Sequence, residues 1–225
     1  MNASTERSQP AQSASVSIPV LYSFRRCPYA MRARMALSAS AQAYEHREIL
    51  LRDKPAEMLA ASSKATVPVL VLPGGRVIDE SLDIMLWTLQ QNDPQQWLAA
   101  PLDDVQALIA QCDGPFKRAL DAYKYAQTPV DQEPASASAL QFLSLLECRL
   151  ATSTFLFSAS MTLADAAIMP FVRQFAAVQP TWFAQQPWPH VQAWLTQISV
   201  SELFENIMQK RDVWPVGRQL PNQTA

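Results

Sequence analysis

Cys27 stands directly before Pro28 in the stretch FRRCPYAMRARMAL, Phe24 to Leu37. Pro28 suits the first position of a helix, and Ala30, Met31, Ala33, Met35, Ala36 and Leu37 are good helix formers. The thiol therefore falls at a predicted helix N-terminus. Unpaired amides and the positive end of the macrodipole favour a thiolate there, and such sites lower a cysteine pKa from about 8.5 to about 3.5–7.5. Arg25 and Arg26 add positive charge alongside. The chemistry implied is that of a nucleophilic sulfur. A cysteine without such a setting is more often a small core residue, which is how Cys112, on an apolar helical stripe, and Cys148, in a leucine-rich helix, both read.

Other chemistries find less support. The three cysteines are too far apart for a disulfide framework or a zinc spacing, so no metal is expected and a reducing, cytoplasmic setting fits. His46 and His190, the two histidines, lie in no recognisable Cys-His arrangement. A net charge of -2, with no basic run interleaved with aromatics, argues against a nucleic-acid partner. No apolar run approaches a membrane span. Segment 1–16 is polar, lacks the apolar centre of a signal peptide and reads as a flexible tail. Nearly half of the 225 residues are apolar, enough for a substantial core.

The elements that must position Cys27 follow from periodicity. SIPVLYSF, Ser17 to Phe24, reads as a strand, Cys27 to Ser40 as a helix, and Tyr44 to Leu51 as extended. VPVLVL and RVID flank Pro73, Gly74 and Gly75, a turn that predicts an antiparallel hairpin. Leu82, Met85, Leu86 and Leu89 mark a helix with Ser81 as its cap. From Asn92 to Leu102 periodicity is lost, and the pattern beyond is helical. Val105, Leu108, Ile109, Cys112 and Phe116 form a stripe with a kink or break expected at Gly114 and Pro115. Leu140, Leu143, Leu146 and Leu150 mark the next helix. Thr162 and Asp165 have capping-box spacing ahead of AAIMPFVRQF, in which Pro170 should introduce a kink. Two further helices are centred on Val191 to Ile198 and Leu203 to Met208. The expected organisation is a tail at 1–16, an α/β domain at 17–92, a linker at 93–102, an all-helical domain at 103–215 and a tail at 216–225.

Four features stand in order: Cys27-Pro28 at a helix start, Lys54-Pro55, Val67-Pro68 before a strand, and Glu80-Ser81 at another helix start. With CPYA, LRDKP, TVPVL, DES and MTLADAAIMPF at these separations, the chain resembles the glutathione transferase superfamily. It is most similar to its cysteine-type members, the omega-class transferases and the two-domain bacterial glutaredoxin. The resemblance implies a thioredoxin-like α/β domain followed by an all-α domain, with glutathione as cosubstrate. It also implies roles. Cys27 attacks a glutathionylated substrate, or rests beside the glutathione sulfur, while Pro28 and Tyr29 shape its turn. Val67 pairs through its backbone with the glutathione peptide, turned toward the site by a cis Pro68. Glu80 and Ser81 hold the γ-glutamyl end, and Lys54 pairs with the glycyl carboxylate. Other classes use a Tyr or Ser near the strand end, where Tyr22 and Ser23 stand here.

The activity implied is glutathione-dependent thiol transfer. The alternatives are conjugation, or reductive removal of a halide or quinone substituent from a small electrophile, and a non-catalytic interaction protein on the same fold. The partners implied are glutathione and either a glutathionylated substrate or a small electrophile. A homodimer is one assembly that such proteins adopt, and a monomer is the other. Phe116, Tyr123 and Tyr125 are candidates for the wall of the second substrate. The motif departs from a CPYC glutaredoxin in having Ala30 at the resolving position, so no disulfide can close within it.

Overall fold

The computed structural model describes residues 18–126 and 137–214, so the tails expected at 1–16 and 216–225 lie outside it. The chain forms β1 (Val20–Ser23), α1 (Pro28–Ala39), β2 (Glu45–Glu48), α2 (Ala56–Ala61), β3 (Val69–Val71), β4 (Val77–Ile78) and α3 (Ser81–Gln91). The strands make one sheet in the order β2-β1-β3-β4. β1 runs parallel to β2 and antiparallel to β3, and β3 antiparallel to β4. The expected hairpin is present, and Gly74 and Gly75 both take positive φ, +85° and +87°, in its turn.

Alternation along β1 divides the sheet into two faces. Leu21 packs with Leu70, Ala33, Leu37 and Ile84 under α1 and α3. Tyr22 and Val69 point to the other face, with Met58 of α2 and Ala30. The alternation of β2 is imperfect because EHRE is a polar strand at the edge of the sheet.

The helical part comprises α4 (Leu102–Gln111), α5 (Lys117–Tyr125), α6 (Ala137–Leu150), α7 (Leu163–Ala176), α8 (Pro180–Ala184), α9 (Pro189–Ser199) and α10 (Glu202–Ile207). One apolar cluster runs from Met31 and Met35 of α1 and Met85 of α3 into α4, α6, α7 and α9. The two parts therefore share a core. Asp165 is fully buried and caps α7. Its carboxylate accepts bonds from Thr162 N (2.9 Å), Thr162 Oγ1 (2.7 Å), Leu156 N (2.9 Å) and Trp194 Nε1 (2.9 Å).

Several local expectations are corrected. The kink or break expected at Gly114 and Pro115 is a π-helical turn, Cys112–Phe116, that joins α4 to α5 without ending the helix. A wider turn accommodates the missing proline N–H, and such turns recur at functional sites. Pro170, where a kink is expected, lies inside the continuous helix α7. Ser81 is the first helical residue of α3, and Glu80 occupies the cap position without a side-chain cap bond. α2 and α8 have six and five residues, too short to show a helical period in the sequence. Among the described residues no helix is long and apolar enough to cross a membrane.

Candidate active site

β1 delivers the chain to a turn closed by Cys27 N donating to Phe24 O at 3.0 Å. Cys27 then occupies the cap position of α1 in extended conformation, φ -75° and ψ 122°, with Pro28 following. This is the helix start that the sequence predicts. The thiol is half-buried, and its Sγ lies 3.7 Å from Val67 O, within reach of a weak S–H bond. Val67-Pro68 is a cis peptide, as the family resemblance implies.

The electrostatics of the thiol depart from expectation. Burial pushes the Cys27 pKa up, outweighing the opposing pull of the Ala30 and Tyr29 amides and of the Arg34 and Lys117 charges. The helix start acts as predicted, through its amides, but desolvation is the larger effect. The cations that bear on the sulfur come from further along the chain than Arg25 and Arg26, a placement that only the folded helices create.

Beside Val67 opens a cavity of about 530 Å³ lined by Tyr29, Lys64, Thr66, Val67, Pro68, Asp79, Glu80, Ser81 and Asp113. Four of the predicted site residues, Val67, Pro68, Glu80 and Ser81, are thus brought together. Cys27 is not itself among the lining residues and adjoins the cavity through Val67 O. Lys54 is half-buried and does not line it. The lining cation is Lys64, which pairs with Glu80 at 2.6 Å and Asp79 at 3.0 Å. These two carboxylates hold the Lys64 pKa up, and Lys64 with the Ser62 hydroxyl holds Asp79 below the usual carboxylate range. Lys64 lies within SSKATVPVL, three residues before Val67, close enough in sequence to have been considered.

Asp113 had no sequence signal pointing to the site. The π-helical turn carries it to the cavity wall, where it accepts both ends of the Arg32 guanidinium, at 2.9 and 2.5 Å. Arg32 is fully buried, donates to Ala167 O at 2.6 Å and lies 3.4 Å from Ser81 Oγ. One side chain of α1 thereby ties α3, the π-helical turn and α7 around the cavity. Tyr29 stacks edge-on against Phe171 at 4.8 Å, and burial pushes its hydroxyl up to about 12.

Tyr22 and Ser23 are occupied by structural bonds. Tyr22 OH accepts from Arg47 at 2.7 Å and Ser23 Oγ from Arg34 at 2.5 Å. Of the aromatic wall candidates, Phe116 and Tyr123 are buried in the core, whereas Tyr125 is exposed. Cys112 is buried and its thiol is pushed up to about 12, the inert core residue expected. Cys148 corrects its assignment: it falls on the solvent face of α6. Among the described residues no group of three or more His, Cys, Asp or Glu side chains is placed to hold a metal.

A thioredoxin-like sheet with an all-helical partner is the class that this fold defines. Residues 21–97 match the glutathione S-transferase N-terminal domain and residues 95–197 its C-terminal domain. The chain belongs to the glutathione transferase superfamily. Among solved structures it is similar to glutathione transferase Omega 3C from Trametes versicolor, with TM-score 0.73 and 18% identity over 88% of this chain and 91% of that one. It is also similar to a family member from Pseudomonas fluorescens pf-5 with two glutathione bound, with TM-score 0.71 and 19% identity over 88% and 95%. A pyrimidodiazepine synthase of Drosophila melanogaster is 36% identical over 121 residues, 51% of this chain and 48% of that protein. A probable glutathione S-transferase of Zea mays is 33% identical over 132 residues, 53% and 56%. The chain thus matches about half the length of these two relatives.

Proposed function

We propose that the protein is a glutathione-dependent thiol transferase in which Cys27 is the nucleophile. The observation that carries this reading is that the Cys27 sulfur lies 3.7 Å from the carbonyl oxygen of Val67, a residue that lines the same cavity as Glu80 and Ser81. Val67 offers backbone groups to the peptide of glutathione. Ser81 and the first amides of α3, which have no intrahelical acceptor, receive the γ-glutamyl carboxylate, and the Glu80 carboxylate receives its ammonium. Lys64, paired with Glu80 and Asp79, steadies the carboxylates of this γ-glutamyl end.

In the first step the Cys27 thiolate attacks the glutathionyl sulfur of a mixed disulfide. A Cys27–glutathione disulfide forms and the substrate leaves as its thiolate. In the second step the thiolate of a free glutathione attacks the glutathionyl sulfur of that adduct, releasing oxidised glutathione and restoring the Cys27 thiolate. Ala30 supplies no resolving thiol, so both steps need glutathione. The protein acts in the cytoplasm on this reading, and as a monomer or a homodimer.

Disulfide exchange between glutathione and a glutathionylated peptide tests this. Wild-type protein should catalyse it, and Cys27→Ser should reduce it to the uncatalysed rate while the protein still binds to immobilised glutathione. Exchange retained by Cys27→Ser would overturn the assignment. The upward push on the Cys27 thiol favours one second reading, in which a protonated Cys27 donates to the glutathione sulfur during conjugation of a small electrophile. Product formation with a model electrophile, without disulfide exchange, would select it.

A further inference from the structure

A second cavity, about 580 Å³, opens on the other side of the turn that carries Cys27. The β1–α1 turn supplies Phe24, Arg25 and Arg26, α5 supplies Lys124 and Tyr125, and α7 supplies Arg173. We infer that this cavity receives the group exchanged with glutathione and selects one that is apolar in body and negatively charged at one end. The inference rests on the transfer reading above and deepens it by naming the class of second substrate.

Among the described residues that line it, four are cations, Arg25, Arg26, Lys124 and Arg173, and none is a carboxylate. That concentration is local, because the chain as a whole carries 18 lysines and arginines against 20 acids. Among the described residues none of the four lies within ion-pair distance of a carboxylate. Three rest on aromatic faces instead: Arg26 on Phe24 at 5.5 Å, Lys124 on Tyr125 at 4.9 Å and Arg173 on Phe204 at 5.4 Å. Ring contact holds a cation in place without neutralising it. Glu48 accepts from the Arg25 backbone N–H at 2.6 Å and also faces His46 at 3.1 Å. Met31, Leu51, Pro170, Ala177 and Met208 complete an apolar floor. A purely apolar acceptor would leave the four charges unanswered, and a cationic one would be repelled by them.

Two measurements with separate readouts test this. The first is independent of turnover: fluorescence titration of the Cys27→Ser protein with anilinonaphthalene sulfonate and with uncharged phenylnaphthylamine. The sulfonate should bind more tightly, and Arg173→Gln should reduce that preference about tenfold, the value of one charge-assisted hydrogen bond. Arg26→Gln with Lys124→Gln, at exposed positions, makes the same test should Arg173→Gln not fold. The second is the rate of exchange with the glutathione mixed disulfides of mercaptoethanesulfonate, mercaptoethanol and cysteamine. The expected order is sulfonate, then alcohol, then amine, with the sulfonate-to-alcohol ratio falling in either variant. No preference for the sulfonate dye, or a preference that persists in both variants, overturns the inference, as does faster exchange of the amine. Absence of exchange with all three disulfides, beside charge-dependent dye binding, overturns thiol transfer and supports the anion-selecting cavity.

Discussion

The two cavities flanking the Cys27 turn are lined by charges of mostly opposite sign. The one beside Val67 presents three carboxylates, Asp79, Glu80 and Asp113, with Lys64 as its lining cation. The other presents four cations and, among the described residues, no carboxylate. α1 serves both through two buried arginines, Arg32 and Arg34. Arg32 is matched by a carboxylate and braces the acidic cavity. Arg34 is held by neutral groups: Ser23 Oγ, Phe24 O and Arg25 O in the turn and Ile207 O of α10, with burial lowering its pKa to about 10. Charges of opposite sign thus line the two sides, carried by the segments around α1, while the arginines of α1 brace those segments. The acidic side suits a zwitterion with an ammonium to satisfy, and the basic side an anion.

The largest expected effect breaks the brace on the acidic side. Asp113→Ala removes the carboxylate and leaves the Arg32 guanidinium charged and fully buried, which should cost about 3–5 kcal/mol in denaturant unfolding. Adding Arg32→Met should recover much of that loss, because the stranded charge is then gone. A single variant as stable as wild type would show that Asp113 does not compensate Arg32.

Next in size is the acidic cavity's grip on glutathione. Glu80→Ala and Ser81→Ala each remove a charge-assisted hydrogen bond of about 1.5–3 kcal/mol, or about ten- to a hundredfold in affinity by calorimetry. Affinity unaltered in both would place glutathione elsewhere and dissolve the contrast between the cavities. The smallest effect concerns the sulfur between them. A thiol pushed up by burial loses thiolate as pH falls, so alkylation at Cys27 by iodoacetamide should rise about tenfold per unit between about pH 6 and 8. A rate already level in this range would mean that the helix start and nearby cations outweigh burial.

What could be read from the sequence was local or carried by family spacing. Pro28 and the run after it set the start of α1, Thr162 and Asp165 set the cap of α7, and the Pro-Gly-Gly turn set the β3–β4 hairpin. Val67, Pro68, Glu80 and Ser81, which line one cavity, were legible through the spacing that the chain shares with the family. Asp113 was not, since it reaches the site through a π-helical turn that a Gly-Pro pair marks just as well as a break. The balance at Cys27 was equally hidden: helix-start amides are visible in sequence, but the depth at which a thiol sits is fixed by packing. Cys148 was misplaced because a leucine-rich helix still has a solvent face, and one position decides which side a residue takes.

The most direct test of the central claim, that Cys27 carries glutathione by itself, is peptide mass mapping after exposure to oxidised glutathione. The Cys27 thiolate should displace one glutathione thiolate and retain the other half, giving a single glutathionyl adduct at Cys27 that reduced glutathione removes. Ala30→Cys should convert that adduct to an internal disulfide as the new thiol expels glutathione. A Cys27 to Cys112 or Cys27 to Cys148 link in the wild-type protein, or an adduct confined to Cys148, would contradict the account.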